Sequence, residues 1–344
     1  MQTLRVGLLT SVGTTLDAFF PPLVEEWTRR GYAVFPASGT SAVLDGTAVL
    51  DGVTRRPSLA ALRSRRTLQD WVADNHLDIV LTNTAVASTL VRSAVTTVPI
   101  VYFCHGLHWA SRRDMRSRIA WEPIERGLLH RTAAAIVLNS HDEDWFLSRM
   151  PPERVLRLNA GVGVPLADFP RANQFPIPPL RLAWAGEFSK RKRPSDALDV
   201  VAHLRSEFPH VRLDMYGTGS LHADVREEVV DRNLSHNVAL PGRGNVARLL
   251  AESHLLLHTA AWEGLVRVAL EAAAVGRWTY GYRVKGVIDT PAARVVPFRD
   301  TRGLAALIAN DYRTGKLHDV PTERSQLAPQ IAAREIGQLL ERLI

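Results

Sequence analysis

Two carboxylates eight positions apart, Glu263 and Glu271, carry the clearest chemical signal in the chain. They lie in Trp262-Glu-Gly-Leu-Val-Arg-Val-Ala-Leu-Glu-Ala-Ala-Ala-Val-Gly276. The apolar run from Leu265 to Ala274 has a glycine at each end and predicts a helix. Eight helical positions turn through about 800° and rise about 12 Å, so the two acids are expected near one face and about two turns apart. One acid at the helix mouth and one deeper could grip two parts of an elongated polar ligand. An acidic helix N-terminus without any ligand gives the same residues, because acids favour that end of the dipole.

A second group is basic. Ala185-Gly-Glu-Phe-Ser-Lys-Arg-Lys-Arg-Pro194 reads as a strand, a tight loop and a helix start. Free helix N–H groups behind a glycine turn make a phosphate cradle. Lys190, Arg191, Lys192 and Arg193 add four cations, and two of the chain's four lysines are here. A solvated charge run is the alternative. A third group is Val101-Tyr-Phe-Cys-His-Gly-Leu-His-Trp109, in which His105 ends a strand beside Gly106. A histidine there could bind or transfer protons, although a lone histidine is commonly structural. Cys104, the only cysteine, is expected to pack rather than react.

Other patterns point away from particular chemistries. Asp142-Glu-Asp144 has the spacing of a metal-binding acid pair, but it follows Asn139-Ser140 at a helix start. Ser140 as N-cap with acids in the first turn accounts for it. The histidines show no zinc spacing. The first β-α turn lacks Gly-x-Gly-x-x-Gly, and no Gly-x-Ser-x-Gly elbow occurs.

The elements that must position these residues alternate. Strands are expected at Leu4–Thr10, Tyr32–Ala37, Asp78–Thr82, Val98–Cys104, Ala133–Asn139 and Val155–Leu158, with helices over 16–30, 59–75 and 119–131. Asp168–Pro179 breaks the alternation with four prolines. Strands then resume at 181–185, 212–216, 238–240, 255–259 and 279–282, with helices between them and a last amphipathic helix over 331–344. The alternation predicts parallel sheets of β-α units. With 344 residues, two cores are expected. The expected division is 1–170, a linker at 171–180, a second domain at 181–325, and a C-terminal segment 326–344 packing back toward the first domain. Ligands of such sheets bind beyond the carboxyl ends of the strands.

Composition is ordinary for a soluble globular chain, 46% hydrophobic and 22% charged. No apolar run reaches the ~18 residues of a membrane span. The first strand is too short for a signal peptide, and one cysteine suits a reducing cytoplasm. The net charge of +7 is spread along the chain apart from two arginine clusters. These are Arg55, Arg56, Arg63, Arg65 and Arg66, and Arg112, Arg113, Arg116 and Arg118. They could be solvated faces, or could attract anionic headgroups or a pyrophosphate-bearing acceptor. Aromatic residues are not interleaved with them as nucleic-acid stacking would require, so no nucleic-acid partner is expected.

The Glu263–Gly276 segment resembles the donor-binding signature of retaining GT-B glycosyltransferases of the family-4 type. The loop at Gly186 is similar to their Gly-Arg-Leu-x-x-x-Lys-Gly motif, and His105-Gly-Leu-His108 to an element of bacterial exopolysaccharide and capsule glycosyltransferases. Trp121-Glu-Pro-Ile-Glu-Arg126, Ala160-Gly-Val-Gly-Val164, Asp78-Ile-Val-Leu-Thr82 and Val284-Lys-Gly286 extend the resemblance to about Arg5–Gly286. It implies an α/β GT-B fold, with two Rossmann-like doubly wound parallel-sheet domains facing across a cleft. It implies donor binding by Gly186, Arg191, Lys192, Glu263, Gly264, Leu265, Val266 and Glu271, with Glu271 on the ribose, Glu263 on the transferred sugar and Lys192 on the diphosphate. His105, Glu263 and Lys192 are the implied catalytic residues. Gly13, His105, Gly106 and His108 line the implied acceptor side. The chain departs from the motif at Glu187, where the family has arginine; Arg191 or Arg193 is then the expected substitute.

The implied activity is retaining transfer of a hexose or N-acetylhexosamine from a UDP-linked donor to a saccharide, lipid-linked or small-molecule acceptor. No metal or cofactor is expected, and the protein is expected in the cytoplasm, with peripheral contact to an anionic membrane. A UDP-sugar epimerase of the same fold and a catalytically silent sugar-nucleotide or membrane-binding module remain open alternatives.

Overall fold

Short runs of aliphatic residues with no polar alternation, such as Leu255-Leu-Leu-His258, suit strands buried on both faces of a parallel sheet. The computed structural model describes residues 3–55, 63–107, 109, 115–172, 174–318 and 320–344, the side chains of 115–117 excepted. It divides into two compact units, Met1–Gly163 with Pro329–Ile344, and Val164–Ala328.

The first unit runs β1 (Arg5–Thr10), α1 (Gly13–Phe19), α2 (Pro21–Arg29), β2 (Ala33–Ser38), β3 (Ala48–Val49), α3 (Ser64–Asp74), β4 (Ile79–Asn83), α4 (Ala85–Ala94), β5 (Ile100–Phe103), α5 (Met115–Leu128), β6 (Ala134–Val137), α6 (Ser140–Leu147) and β7 (Val155–Arg157). The second runs β8 (Arg181–Ala185), α7 (Pro194–Leu204), β9 (Arg212–Tyr216), α8 (His222–Asp231), β10 (Val238–Gly242), α9 (Val246–Ala251), β11 (Leu255–His258), α10 (Arg267–Val275), β12 (Trp278–Tyr282), β13 (Ala293–Val296) and α11 (Thr301–Arg313). The last helix, α12 (Pro329–Glu341), belongs to the first unit. Its Ala333 carbonyl accepts the indole N–H of Trp27, and Tyr32 is hydrogen-bonded to Glu341.

The sheets are ordered β3-β2-β1-β4-β5-β6-β7 and β10-β9-β8-β11-β12-β13. Among the described residues every pairing is parallel, for example Gly7 opposite Val80 and Leu182 opposite Leu213. Both orders reverse direction once, at β1/β4 and at β8/β11. In doubly wound sheets that reversal opens a crevice at the strand C-termini. The ends concerned carry Thr10 and Asn83 in one sheet, Ala185 and His258 in the other.

The observed elements differ from the expected ones in several places. The helix expected over 16–30 is two helices, because Pro21 cannot donate to the preceding turn and starts a new one. The helices α4 and α11 and the strands β3 and β13 lie outside the expected elements. The sequence of α4, Ala-Val-Ala-Ser-Thr-Leu-Val-Arg-Ser-Ala, is rich in small and β-branched residues and carries little helical signal. For α11 a signal existed: the Asp300 carboxylate caps it by accepting the Gly303 N–H at 2.8 Å. Residues 168–179 lie in the second unit, where Ala172 donates to the Val275 carbonyl and the Phe175 ring meets His254 and His318.

Candidate functional site

At the reversal point of the second sheet, β8 ends at Ala185 and the chain turns through Gly186 to Arg193 before α7. The loop is pinned at both ends. The Gly186 N–H donates to the Tyr216 carbonyl at 3.0 Å. Thr259, just past β11, donates its hydroxyl to the Lys192 and Arg193 carbonyls at 2.9 Å, and itself accepts the Trp184 indole N–H. The expected cradle loop therefore sits between the two central strands of the sheet.

Its cations are not equivalent. Lys192 reaches Glu263 Oε1 at 2.6 Å, and Arg191 reaches Glu263 Oε2 at 2.5 Å while lying over the Trp262 ring. His258 Nε2 is 3.4 Å from the same carboxylate. Arg193 is held bidentately by Asp196 at 2.7 Å, and Asp196 also accepts the Tyr282 hydroxyl. Arg193 is thus committed to α7, and of the two expected substitutes for the motif arginine only Arg191 stands with Lys192. Burial raises the proton affinity of Glu263, but the close approach of His258 and the charges of Lys192 and Arg191 override it and bring its pKa to about 2. The carboxylate is ionised although only 7% of Glu263 is exposed. Sequence reasoning missed His258, whose only signal was its place at the end of the strand preceding Glu263.

The expected helical relation between the two acids does not hold. Helix α10 begins at Arg267, with Val266 extended at φ −89° and ψ 90°. Glu263, Gly264 and Leu265 precede it as a loop, and the Glu263 N–H donates to the Lys285 carbonyl. Pairing with Lys192 and Arg191 draws Glu263 away from the helix axis, which overrides the apolar periodicity. Glu271 does lie on α10. It is buried, ion-paired to Arg267 at 3.2 Å, and its pKa is raised by burial. Gly276, at φ +89°, ends the helix as expected.

Beside the Gly186 loop lies a concavity of about 520 Å³, lined by residues that include Gly186, Glu187, Tyr216, Gly217, Gly219 and Arg243. A Cβ on Gly217, at φ +140°, would fall 1.9 Å from the Gly186 carbonyl oxygen, so the wall requires glycine there. Glu187 is exposed on this wall, and so is Arg243, which the sequence reading did not single out.

In the first unit, His105 follows β5. Its ring stacks on Phe103 at 4.6 Å and meets Phe19 at 5.3 Å, and its Nε2 is 2.7 Å from the Asn83 amide nitrogen at the end of β4. Burial pulls its pKa down to about 4, so the ring is neutral. His108 lies outside the described residues, as do Arg56, Arg112 and Arg113. Gly13 is the first residue of α1, and a Cβ there would lie 1.9 Å from the Ser41 carbonyl oxygen. That backbone contact alone makes glycine necessary at this position.

The Asp142-Glu-Asp144 run has a different basis from the expected one. The N-cap of α6 is Asn139, not Ser140: the Asn139 side chain accepts the Asp142 N–H at 3.0 Å, because Asn139 is the residue with extended backbone. Asp142 is fully buried and accepts the backbone N–H of Leu107 at 3.2 Å, which ties down the loop after His105. Cys104 is buried, as expected of a packing residue. Among the described residues no cluster of three or more His, Cys, Asp or Glu could hold a metal ion, and no helix is long and apolar enough to cross a membrane.

Residues 168–308, all within the second unit, match the family model described as Glycosyl transferases group 1. The chain is 22% identical over 248 residues to EpsD of Bacillus subtilis (strain 168), a protein named as a candidate glycosyltransferase. That match covers 64% of this chain and 63% of EpsD. Among solved structures, the sucrose-phosphate synthase of Thermosynechococcus elongatus superposes with a TM-score of 0.74 at 16% identity, covering 99% of each chain. Alr3699/HepE of Anabaena, solved with UDP and glucose, does so with a TM-score of 0.68 at 14% identity, covering 99% of this chain and 98% of its own. The two doubly wound parallel-sheet units and these likenesses define a GT-B fold.

Proposed function

We propose that this chain is a metal-independent, retaining glycosyltransferase that moves a hexose or N-acetylhexosamine from a UDP-linked donor to a saccharide, lipid-linked or small-molecule acceptor. The observation that carries the reading is the Lys192–Glu263–Arg191 cluster at the reversal point of the second sheet, in the region matching Glycosyl transferases group 1. The UDP and glucose bound by Alr3699/HepE support the choice of donor.

In this reading the diphosphate accumulates charge as the sugar departs. Lys192 and Arg191, already oriented by Glu263, stabilise that charge without reorganising, which is where fixed cations are most effective. Glu271 accepts the ribose hydroxyls, and Glu263 lies against the sugar. His105 binds a sugar hydroxyl. The acceptor attacks on the leaving-group side, so the anomeric configuration is kept.

The test is UDP release from UDP-glucose, UDP-galactose and UDP-N-acetylglucosamine, with and without saccharide acceptors, in excess EDTA. Slow release without acceptor, quickened by an acceptor on which an α-linked product then forms, supports the reading. Scrambling at a sugar carbon would identify an epimerase, and binding without turnover a silent module. Arrest by EDTA would remove metal independence.

We further propose a cytoplasmic protein that touches anionic membrane through its arginine clusters, each arginine near the surface contributing about 1 kcal/mol. Arg118 is ion-paired with Glu122 at 2.8 Å, so its part is reduced. Salt-sensitive binding to anionic vesicles such as phosphatidylserine is expected, weakened when Arg112, Arg113, Arg116 and Arg118 become Ser. Indifference to such vesicles at low salt would leave a soluble acceptor.

A further inference from the structure

The strand end that faces His105 is held from both sides. Asn83, the last residue of β4, is fully buried and places its amide nitrogen 2.7 Å from His105 Nε2. Thr84 follows at φ +73° and ψ 140°, a conformation that a β-branched residue adopts only when its surroundings enforce it. What enforces it is on the other side. The Thr84 hydroxyl is 2.6 Å from that of Ser11 and accepts the Ser11 N–H, while the Ser11 hydroxyl accepts the Ala87 N–H. Strained backbone that the fold over-determines concentrates where a side chain must be aimed, and the side chain aimed here is Asn83.

The imidazole that receives it has few freedoms left. Phe103 and Phe19 pack on the ring, and Asp142 anchors the next turn at Leu107. An amide N–H pointing at Nε2 requires a lone pair there. The ring proton of a neutral histidine must then sit on Nδ1, a nitrogen with no hydrogen-bond partner among the described residues. Asn83 Oδ1 is itself buried without a partner.

We propose that Asn83 is a positioning residue for His105: it fixes the neutral Nδ1–H tautomer, so that His105 donates a hydrogen bond to a saccharide oxygen and does not act as a proton-accepting base. The sugar is taken from the glycosyl-transfer reading above, on which that part of the proposal rests. The tautomer and its dependence on Asn83 do not rest on it. The depressed proton affinity of the ring agrees with a donor that stays uncharged over the working pH range. A neutral N–H among two phenyl rings suits an uncharged polyhydroxyl ligand better than an anion, which would seek a cation.

Long-range ¹H–¹⁵N spectra of the histidine-labelled full chain test it, with His105 assigned by the His105→Gln variant. The expected result at pH 7 is a protonated Nδ1, a bare Nε2, and no titration until below about pH 5. In Asn83→Ala the two tautomers should mix, and kcat/KM should fall about tenfold, the scale of one hydrogen bond, with UDP affinity unchanged. In Asn83→Asp, which preserves size, the His105 titration should rise by about two pH units, because a carboxylate favours imidazolium. A merely structural asparagine would leave the tautomer ratio unchanged in Asn83→Ala. A proton on Nε2 in the unmodified protein, or tautomer signals indifferent to Asn83, overturns the proposal. If the Nδ1–H signal and its Asn83 dependence are present but no sugar nucleotide is turned over, the transfer reading fails and the coupling stands.

Discussion

His105 in the first unit and Glu263 in the second both follow the C-terminal end of a buried strand, and both have lowered proton affinity, yet the same direction of shift leaves them in opposite states. At His105 the cause is burial alone, and the ring is left neutral at a pKa of about 4. At Glu263 burial works the other way and is defeated by His258, Lys192 and Arg191, leaving a buried anion at about 2. One site is arranged around an uncharged donor and the other around a charge network. On the transfer reading proposed above, sugar hydroxyls go to the first and the nucleotide's phosphate charge to the second.

The contrast breaks most visibly if the network is opened. Glu263→Gln leaves Lys192 without its partner in a site that only 14% of its side chain escapes, and removing one member of such a pair costs about 3–5 kcal/mol. The same carboxylate sets an acid limit. Its folded pKa lies below the ordinary value of 4.5, so its stabilisation is complete above pH 4.5 and is lost as pH falls toward 2. Urea unfolding at pH 6 and pH 3 should show a larger loss in the unmodified protein than in Glu263→Gln, in which other ion-paired acids such as Glu122 still titrate. Equal acid sensitivity in both proteins would mean that Glu263 is not the ionised centre.

Next comes turnover. Lys192→Ala should lower kcat by about 10²-fold, the scale of a lost transition-state donor, and UDP affinity by much less, because charge on the leaving group grows toward the transition state. Steady-state kinetics and UDP calorimetry compare the two. Matching losses would make Lys192 a ground-state binder only. A smaller effect is expected on α10: Glu271→Ala should weaken UDP binding by about 2 kcal/mol through the lost ribose hydrogen bonds. Unchanged affinity in calorimetry removes Glu271 from the nucleotide site.

How much of this was readable beforehand differs between the two regions. Apolar runs set between helical patterns gave the β-α alternation and most strands of both sheets, though not β3 or β13. Lys192, Arg191, Glu263, Glu271 and His105 stood out by residue type and local spacing. What spacing could not show was contact: Lys192 and Glu263 are 71 positions apart, and helical periodicity placed Glu263 on α10 until its ion pairs were seen to pull it into a loop. Asn83 was invisible because an asparagine at a strand end reads as a turn residue, and only the fold brings β4 beside β5. Asp142 read as an acid of the first helical turn, but its carboxylate holds Leu107, 35 positions away.

The smallest expected effect concerns the residue where the chain departs from the glycosyltransferase motif. Glu187 is exposed on the wall of the 520 Å³ concavity, beside Gly186 and in company with Arg243. If the diphosphate lies along this loop, an acid there opposes it, and an arginine would attract it. Water screens exposed charges, so the substitution is worth about 1 kcal/mol, roughly a fivefold change, and not the larger amount a buried charge would give. Glu187→Arg should therefore tighten UDP binding about fivefold in dilute buffer, with most of the gain gone at 1 M salt, where the screening length falls to about 3 Å. Uridine, which lacks the phosphates, should bind both proteins equally. A gain for uridine as well would place Glu187 against the base or ribose. No gain for UDP would mean that the diphosphate does not pass Gly186, leaving Lys192 and Arg191 to hold it from the Glu263 side alone.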